Sequence, residues 1–231
     1  MLDTTFTYDI ETVPRKDLTD DMLEDIEVKV DNYFATRNGD ATPEAKEKHR
    51  KMLMGTSPFY GMIVCIGIRL DVNGKYDKCC LTADNYSMEE EKAMLEDFWR
   101  IANKDRWTFV GYNSKAFDAY WIIRRSMFHG IKPTNRDFLD MYRYDTTHHF
   151  DLMLFLSDYD WSKKTTLKAA CQFLGVPSPK EGEVKGENVC EVYEQGGLQG
   201  IADYCIRDID ATYALYEKVK GYVYRKPKYG N

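Results

Sequence analysis

Several carboxylates of this 231-residue chain stand where the local pattern calls for apolar side chains. Residues 5–11 alternate as a strand does, with Phe6, Tyr8 and Ile10 on one face, so Asp9 and Glu11 project together from the other. Their separation along such a strand is about 7 Å. Two like charges at one strand end repel unless a cation sits between them, which is why a D-x-E strand suits a metal site. The string alone carries nothing. With 23 Asp and 15 Glu in the chain, roughly 1.5 such pairs arise by chance, and Asp25-Ile26-Glu27 is a second one. That second pair lies in a helical stretch, where residues i and i+2 face nearly opposite ways.

Two further acids stand out. Asp118 closes the string Gly111-Tyr112-Asn113-Ser114-Lys115-Ala116-Phe117-Asp118, between an apolar strand at 107–111 and a helix beginning near 116. Taken alone, an acid in a first helical turn is best read as complementing the helix dipole. Asp208 interrupts the apolar stripe Ile201, Tyr204/Cys205, Thr212, Leu215/Tyr216 and Val219 of a helix expected over 198–220. A carboxylate on a core-facing stripe costs several kcal/mol unless it is paired or bound to metal. Tyr204 precedes it by one turn, so phenol and carboxylate point into the same space. The plainer alternatives are an Asp hydrogen-bonded to a tyrosine, or one turned to solvent at the edge of the stripe. His148 and His149, near Asp145 and Asp151, lack a helical i,i+4 His pair and read as exposed histidines before a helix capped by Asp151.

The elements that must position these groups are legible in outline. After the first strand, residues 62–70 are nearly continuously apolar, as a central strand is, and 76–82 follow a turn at 71–74 to complete a hairpin. Helical spacing covers 88–101 and 116–128, and beyond residue 150 it returns at 151–157, 165–174, 188–195 and 198–220. Residues 17–58 read as a helical insertion after the first strand, with seven acids and one base in 17–31 forming a solvated helix face. The expectation is one α/β domain over residues 1–231, a mixed β-sheet flanked by helices.

Composition narrows the class. The 32 basic and 38 acidic residues give a net charge of −6, which excludes gripping duplex DNA through a broadly basic surface but leaves room for a local basic groove. No apolar run approaches the ~20 residues that span a bilayer, so no membrane role is expected. The first residues lack the basic start and apolar stretch of a secretory signal. Six cysteines without C-x-x-C spacing read as buried thiols in a reducing compartment, hence a cytoplasmic protein. The last fourteen residues carry five bases and no acid.

The segments Asp9-Ile10-Glu11-Thr12, Gly111-Tyr112-Asn113 with Phe117-Asp118, and Tyr204-Cys205 with Asp208 resemble the three exonuclease motifs of the DEDD superfamily. The tyrosine subclass fits, the one that includes the proofreading domains of B-family DNA polymerases. Stand-alone 3′–5′ exonucleases related to those domains are the nearest match. The histidine subclass places its base five residues before the last Asp, and here that position is Asp203. The resemblance extends through Phe150-Asp151-Leu152-Met153, Leu167, Leu174-Gly175, Val184 and Ile201, covers 1–16 and about 60–220, and leaves the insertion outside.

The resemblance implies an RNase H-like fold and a metal-dependent 3′–5′ exonuclease that releases nucleoside 5′-monophosphates from single-stranded DNA ends. Asp9, Glu11, Asp118 and Asp208 would hold two divalent ions, Mg2+ or Mn2+, as an all-oxygen donor set favours hard cations. Tyr204 would orient the attacking water. Thr12, Asn113 and Phe117 match positions that contact the 3′ end, with Phe117 equally readable as a core residue at a helix start. Asp151 matches a family position behind the site. Lys163, Lys164, Lys168 and the basic tail are either flanks of the strand's path or a solvated surface. The chain is too short to hold a polymerase as well, so proofreading or repair would be exercised beside a separate polymerase or repair complex. Rival readings are an exoribonuclease, a silent binding module of the same fold, and a sugar hydrolase using two of the acids without metal.

Overall fold

The computed structural model describes residues 4–37, 41–178 and 184–223. The first strand, β1 (Thr4–Pro14), outruns the expected 5–11 because it stays paired with β2 (Gly61–Val72) along its whole length, from Thr4↔Val72 to Pro14↔Gly61. Between them come α1 (Asp20–Arg37) and α2 (Pro43–Gly55), the expected insertion. Asn73 and Gly74, with φ of 52° and 80°, turn β2 into β3 (Lys75–Thr82) as the expected hairpin. Positive φ at both turn positions matches the right-handed twist of the flanking strands.

Next are α3 (Met88–Ala102), β4 (Thr108–Gly111), α4 (Asp118–Phe128), the short α5 (Arg136–Leu139), β5 (His149–Asp151) and α6 (Leu152–Leu156). The chain closes with α7 (Leu167–Leu174), α8 (Val189–Glu194) and the long α9 (Leu198–Val219). The sheet order is β3-β2-β1-β4-β5. The pairs β1–β2 and β2–β3 are antiparallel, whereas β4 and β5 add in parallel, so the sheet is mixed as expected.

Both faces are covered. On one, Phe6, Tyr8, Ile10, Ile66 and Ile68 pack with Leu95 and Phe98 of α3 and Trp121 and Ile122 of α4. On the other, α7, α8 and α9 bury Cys171, Val189, Ile201, Cys205 and Leu215 against Val13, Val64, Cys65, Val110 and Phe150. A fully buried ion pair joins α3 to α4. Glu91 accepts from Arg125 Nε at 2.8 Å and from His129 Nε2 at 2.8 Å, and also from the backbone N–H of Ile63 on β2 at 2.8 Å. A charge there is tolerable only because every lone pair is used.

One expectation is corrected. His149 is not an exposed residue before a helix: it is fully buried on β5, with Nε2 2.7 Å from the Tyr8 hydroxyl. Burial pushes its imidazole down to about 3, so it is neutral and packs among Phe109 and Phe138. Three residues are too few for alternation to announce a strand. His148 is half-buried, not exposed as expected, and Asp151 caps α6 through the Leu154 N–H as expected.

The insertion is a helical hairpin with its own small core of Ile26, Val30 and Tyr60, tied across by Arg50–Glu27 and Lys46–Asp31 pairs of 2.6 and 2.7 Å. Its acidic face is solvated. Residues 224–231 of the basic tail lie outside the described residues. No helix among the described residues is long and apolar enough to cross a membrane.

Candidate active site

The site is built at the C-terminal half of β1. Asp9 pairs across the ladder with Gly67, and Glu11 with Cys65, but Thr12 pairs with Ile63. Val64 is therefore an extra residue, a β-bulge, and both Val64 and Cys65 face α8 and α9. Gly67 lets α9 approach closely: a Cβ there would lie 2.7 Å from the Cys205 sulfur and 3.4 Å from Ile209 Cγ2. The long final helix is thereby laid against the strand that carries Asp9 and Glu11.

Asp118 arrives from the other direction. Gly111 ends β4 where a Cβ would meet Ser114 Cβ at 2.3 Å, so only glycine permits this tight exit from the strand. Asn113, at φ 63°, turns the chain again; asparagine tolerates that left-handed conformation. Asp118 opens α4, yet its carboxylate is spent across the fold, accepting from the Ile10 N–H at 3.0 Å. This link sets it between Asp9 and Glu11 in the strand order. Asp118 and Glu11 are buried, and Asp9 and Asp208 are half-buried. Donor atoms of Asp9, Glu11 and Cys205 all lie within 4.8 Å of one another.

These acids repel one another. Burial first, then Asp118, Glu11 and Asp208, push the Asp9 carboxyl well above the usual range. Burial, Asp208 and Asp118 do the same to Glu11. Asp118 is pushed up to about 7 by burial, against the backbone N–H groups that favour its charged form. The Tyr204 phenol is raised by burial and by Asp208, Glu11 and Asp9, and so remains protonated. Four carboxylates from β1, α4 and α9 thus share one electrostatic environment. The four carboxylates alone make an all-oxygen, largely buried donor set that fits hard divalent cations, with the Cys205 sulfur close beside Asp9 and Glu11.

The expected substrate-contacting residues are placed less uniformly. The Thr12 hydroxyl donates to the Gly55 carbonyl at 2.6 Å, tying the site's edge to the end of α2. Asn113 Oδ1 is buried and makes no hydrogen bond, while the Asn113 backbone N–H donates to Asp151 at 3.1 Å. Phe117 is half-buried against Trp121, with ring centroids 5.9 Å apart, so part of its ring is core. Asp151 sits behind the motif and also holds the Lys115 N–H at 3.0 Å. Asp203, on the exposed side of α9, accepts from Gln199 at 2.9 Å and does not face the site.

Sequence reasoning missed two features and set a third aside. Cys205, Cys65 and Cys80 gather beside the carboxylates, with no spacing signal to announce them. Lys115, nearly buried, donates to the Tyr142 and Asp145 carbonyls at 2.7 and 2.8 Å and pins the 140–148 loop to the motif. Asp140, Asp145 and His148 form a second group of possible ligand atoms in that loop. Asp145 there already accepts from the Thr147 and His148 N–H groups, each at 3.0 Å.

Residues 60–224 match a protein family described as "Predicted 3'-5' exonuclease related to the exonuclease domain of PolB". No curated protein matches the sequence. Among solved structures, the chain is similar to the family B DNA polymerase from the hyperthermophilic archaeon Pyrobaculum calidifontis. The TM-score is 0.59 at 15% identity, over 94% of this chain and 24% of the polymerase. It is also similar to a product-bound exonuclease I, with TM-score 0.48 and 12% identity over 96% of this chain and 44% of that one. A zinc-bound complex of E. coli exonuclease I with single-stranded DNA gives TM-score 0.44 and 12% identity, over 96% and 41%. The chain spans about a quarter of the polymerase and less than half of exonuclease I. At these identities the polymerase likeness is one of fold, and it is the RNase H-like exonuclease fold that the mixed sheet displays. With the family matched over residues 60–224, well beyond half of the chain, this protein belongs to the family of 3′–5′ exonucleases related to the exonuclease domain of PolB.

Proposed function

We propose that the protein is a metal-dependent exonuclease that shortens single-stranded DNA from its 3′ end and releases nucleoside 5′-monophosphates. The observation that carries this reading is that Asp118 and Asp208, from α4 and α9, raise the buried carboxyls of Asp9 and Glu11 on β1, which also repel one another. Such a cluster is a poor stabiliser and a good cation cage. Two ions of charge +2 would balance the four carboxylates, so that an anionic phosphodiester is admitted.

Asp9, Glu11, Asp118 and Asp208 would hold two divalent ions, Mg2+ or Mn2+. When bound, such ions polarise the phosphoryl group, acidify a water and stabilise the leaving oxygen. The chain's own groups do the rest. Tyr204 keeps its proton near these carboxylates, so its hydroxyl orients the attacking water by hydrogen bonding and does not remove a proton from it. Asn113 Oδ1, buried and without a hydrogen bond, is available to a donor on the terminal nucleotide. The exposed part of the Phe117 ring offers a surface on which a base stacks. Thr12, bonded to Gly55, fixes the strand edge beside the site. Any proofreading or repair role would act beside a separate polymerase or repair complex.

The test is degradation of matched DNA and RNA oligonucleotides, labelled at the 5′ end, with Mg2+, Mn2+ or excess chelator. The expected result is a ladder that shortens from the 3′ end of single-stranded DNA, release of 5′-monophosphates, and no reaction in chelator. Faster cutting of RNA would move the substrate to that polymer. Full activity in chelator, or intact DNA beside a cation-loaded protein, would overturn the reading.

A further inference from the structure

Three thiols from three elements meet beside the candidate carboxylates. Cys65 is the cross-strand partner of Glu11, Cys80 is the partner of Gly67 on β3, and Cys205 projects from α9. The Cys65 and Cys80 sulfurs are 2.7 Å apart. Cys205 Sγ lies 3.5 Å from the Asp9 carbonyl and 3.7 Å from Asp9 Oδ2. Two sulfurs on one tetrahedral zinc, each 2.3 Å from the metal, would stand roughly 3.7 Å apart. The Cys65–Cys80 separation is shorter than that, yet still longer than the ~2.05 Å of a disulfide bond.

We propose that Cys65 and Cys80 are a redox-reactive pair that closes to a disulfide, and that closing it weakens divalent-cation binding at Asp9 and Glu11. Cys80 is half-buried and Cys65 fully buried, so the order of events is set. The Cys80 thiolate attacks a small-molecule disulfide such as oxidised glutathione, forming a mixed disulfide and releasing one thiol. Cys65, losing its proton, then attacks the Cys80 sulfur and expels the second thiol. Two cysteines give up two protons and two electrons, and one small disulfide is reduced to two thiols.

The coupling follows from register. Across the β2–β3 ladder Cys65 faces Thr82 and Cys80 faces Gly67, so the pair is diagonal. Diagonal neighbours sit farther apart than opposed ones, and a bond between them draws β3 along β2. The β2 residues that move, Cys65 and Gly67, are those paired with Glu11 and Asp9. This second half of the proposal rests on the cation-site reading above.

The full chain, reduced or treated with oxidised glutathione, is alkylated, digested and mapped by mass spectrometry, and each form is titrated with Mn2+ by electron paramagnetic resonance. Cys79 shares a short peptide with Cys80 but is exposed, so the variants C79S and C80S separate the two. The expected result is a Cys65–Cys80 bond in the native chain and in C79S and none in C80S. Mn2+ affinity of the oxidised form falls about 10-fold and returns with dithiothreitol. A bond through Cys79 or Cys205, a stable mixed disulfide, or no bond would overturn the pairing. Equal Mn2+ affinity of the two forms would overturn the coupling. A reduced protein that binds no Mn2+ would overturn the cation-site reading and the coupling with it, while the peptide map decides the pairing alone.

Discussion

The carboxylate of Asp118 accepts a hydrogen bond from the backbone N–H of Ile10, 3.0 Å away, so the first turn of α4 is fastened to β1 between Asp9 and Glu11. An acid that the sequence offers as a helix-dipole partner is thereby fixed beside two others. On the proposed reading, bound cations offset the energy of holding these like charges together, and four measurable outcomes follow from the fold and the site.

Asp208→Asn keeps the shape of the side chain and removes one charge. If Asp208 is a cation ligand as proposed, nuclease activity should fall by about three orders of magnitude. The cation-free protein should be no less stable at pH 8, and its melting temperature should rise, because Asp9 and Glu11 lose a repelling neighbour. Oligonucleotide degradation and thermal melting check the two halves.

The pH dependence has a defined sign. Asp118 titrates near 7 in the folded chain, and Asp9 and Glu11 are raised as well, so the native state holds protons that the unfolded chain has already released. Stability from these groups is present below their unfolded values near 4 and is lost as pH rises through the folded ones. The cation-free melting temperature should therefore fall between about pH 5 and pH 8. Mn2+ should restore more at pH 8 than at pH 5. A cation-free curve that rises over this interval would contradict the clustering.

Gly67→Ala places a methyl group 2.7 Å from the Cys205 sulfur. The overlap should cost about 1–3 kcal/mol of stability and push α9 outward, carrying Tyr204 and Asp208 from Asp9. Denaturant unfolding should show the loss, and Mn2+ titration a weaker affinity.

Arg125→Ala leaves Glu91 charged and fully buried with one partner fewer. Removing one member of such a pair costs about 3–5 kcal/mol. Replacing both Glu91 and Arg125 by apolar residues of similar volume should cost less than the single change. Because Arg125 lies on the helix that Asp118 opens, the single variant should also lose activity.

Much of this was legible in the chain. The alternation of Phe6, Tyr8 and Ile10, the apolar run at 62–70 and the turn at Asn73-Gly74 each carry a local physical signal, and each element is present. Asp208 on the apolar stripe of α9 was visible as an anomaly for the same reason. What escaped depends on partners far apart in sequence. β5 is a strand because it pairs with β4, Phe109 opposite His149, and Glu91 reads as one more charge on an amphipathic helix until Arg125 is brought to it. The thiol cluster depends on the bulge at Val64, which turns Cys65 toward α9. The spacing of the cysteines holds no trace of it.

The central claim, that acids from β1, α4 and α9 form one cation-binding cavity, is tested most directly by a crystal grown with Mn2+ and measured for anomalous scattering. The account predicts peaks within coordination distance of Asp9, Glu11, Asp118 and Asp208. Peaks confined to other acids, such as Asp140 and Asp145, with none among these four, would contradict it.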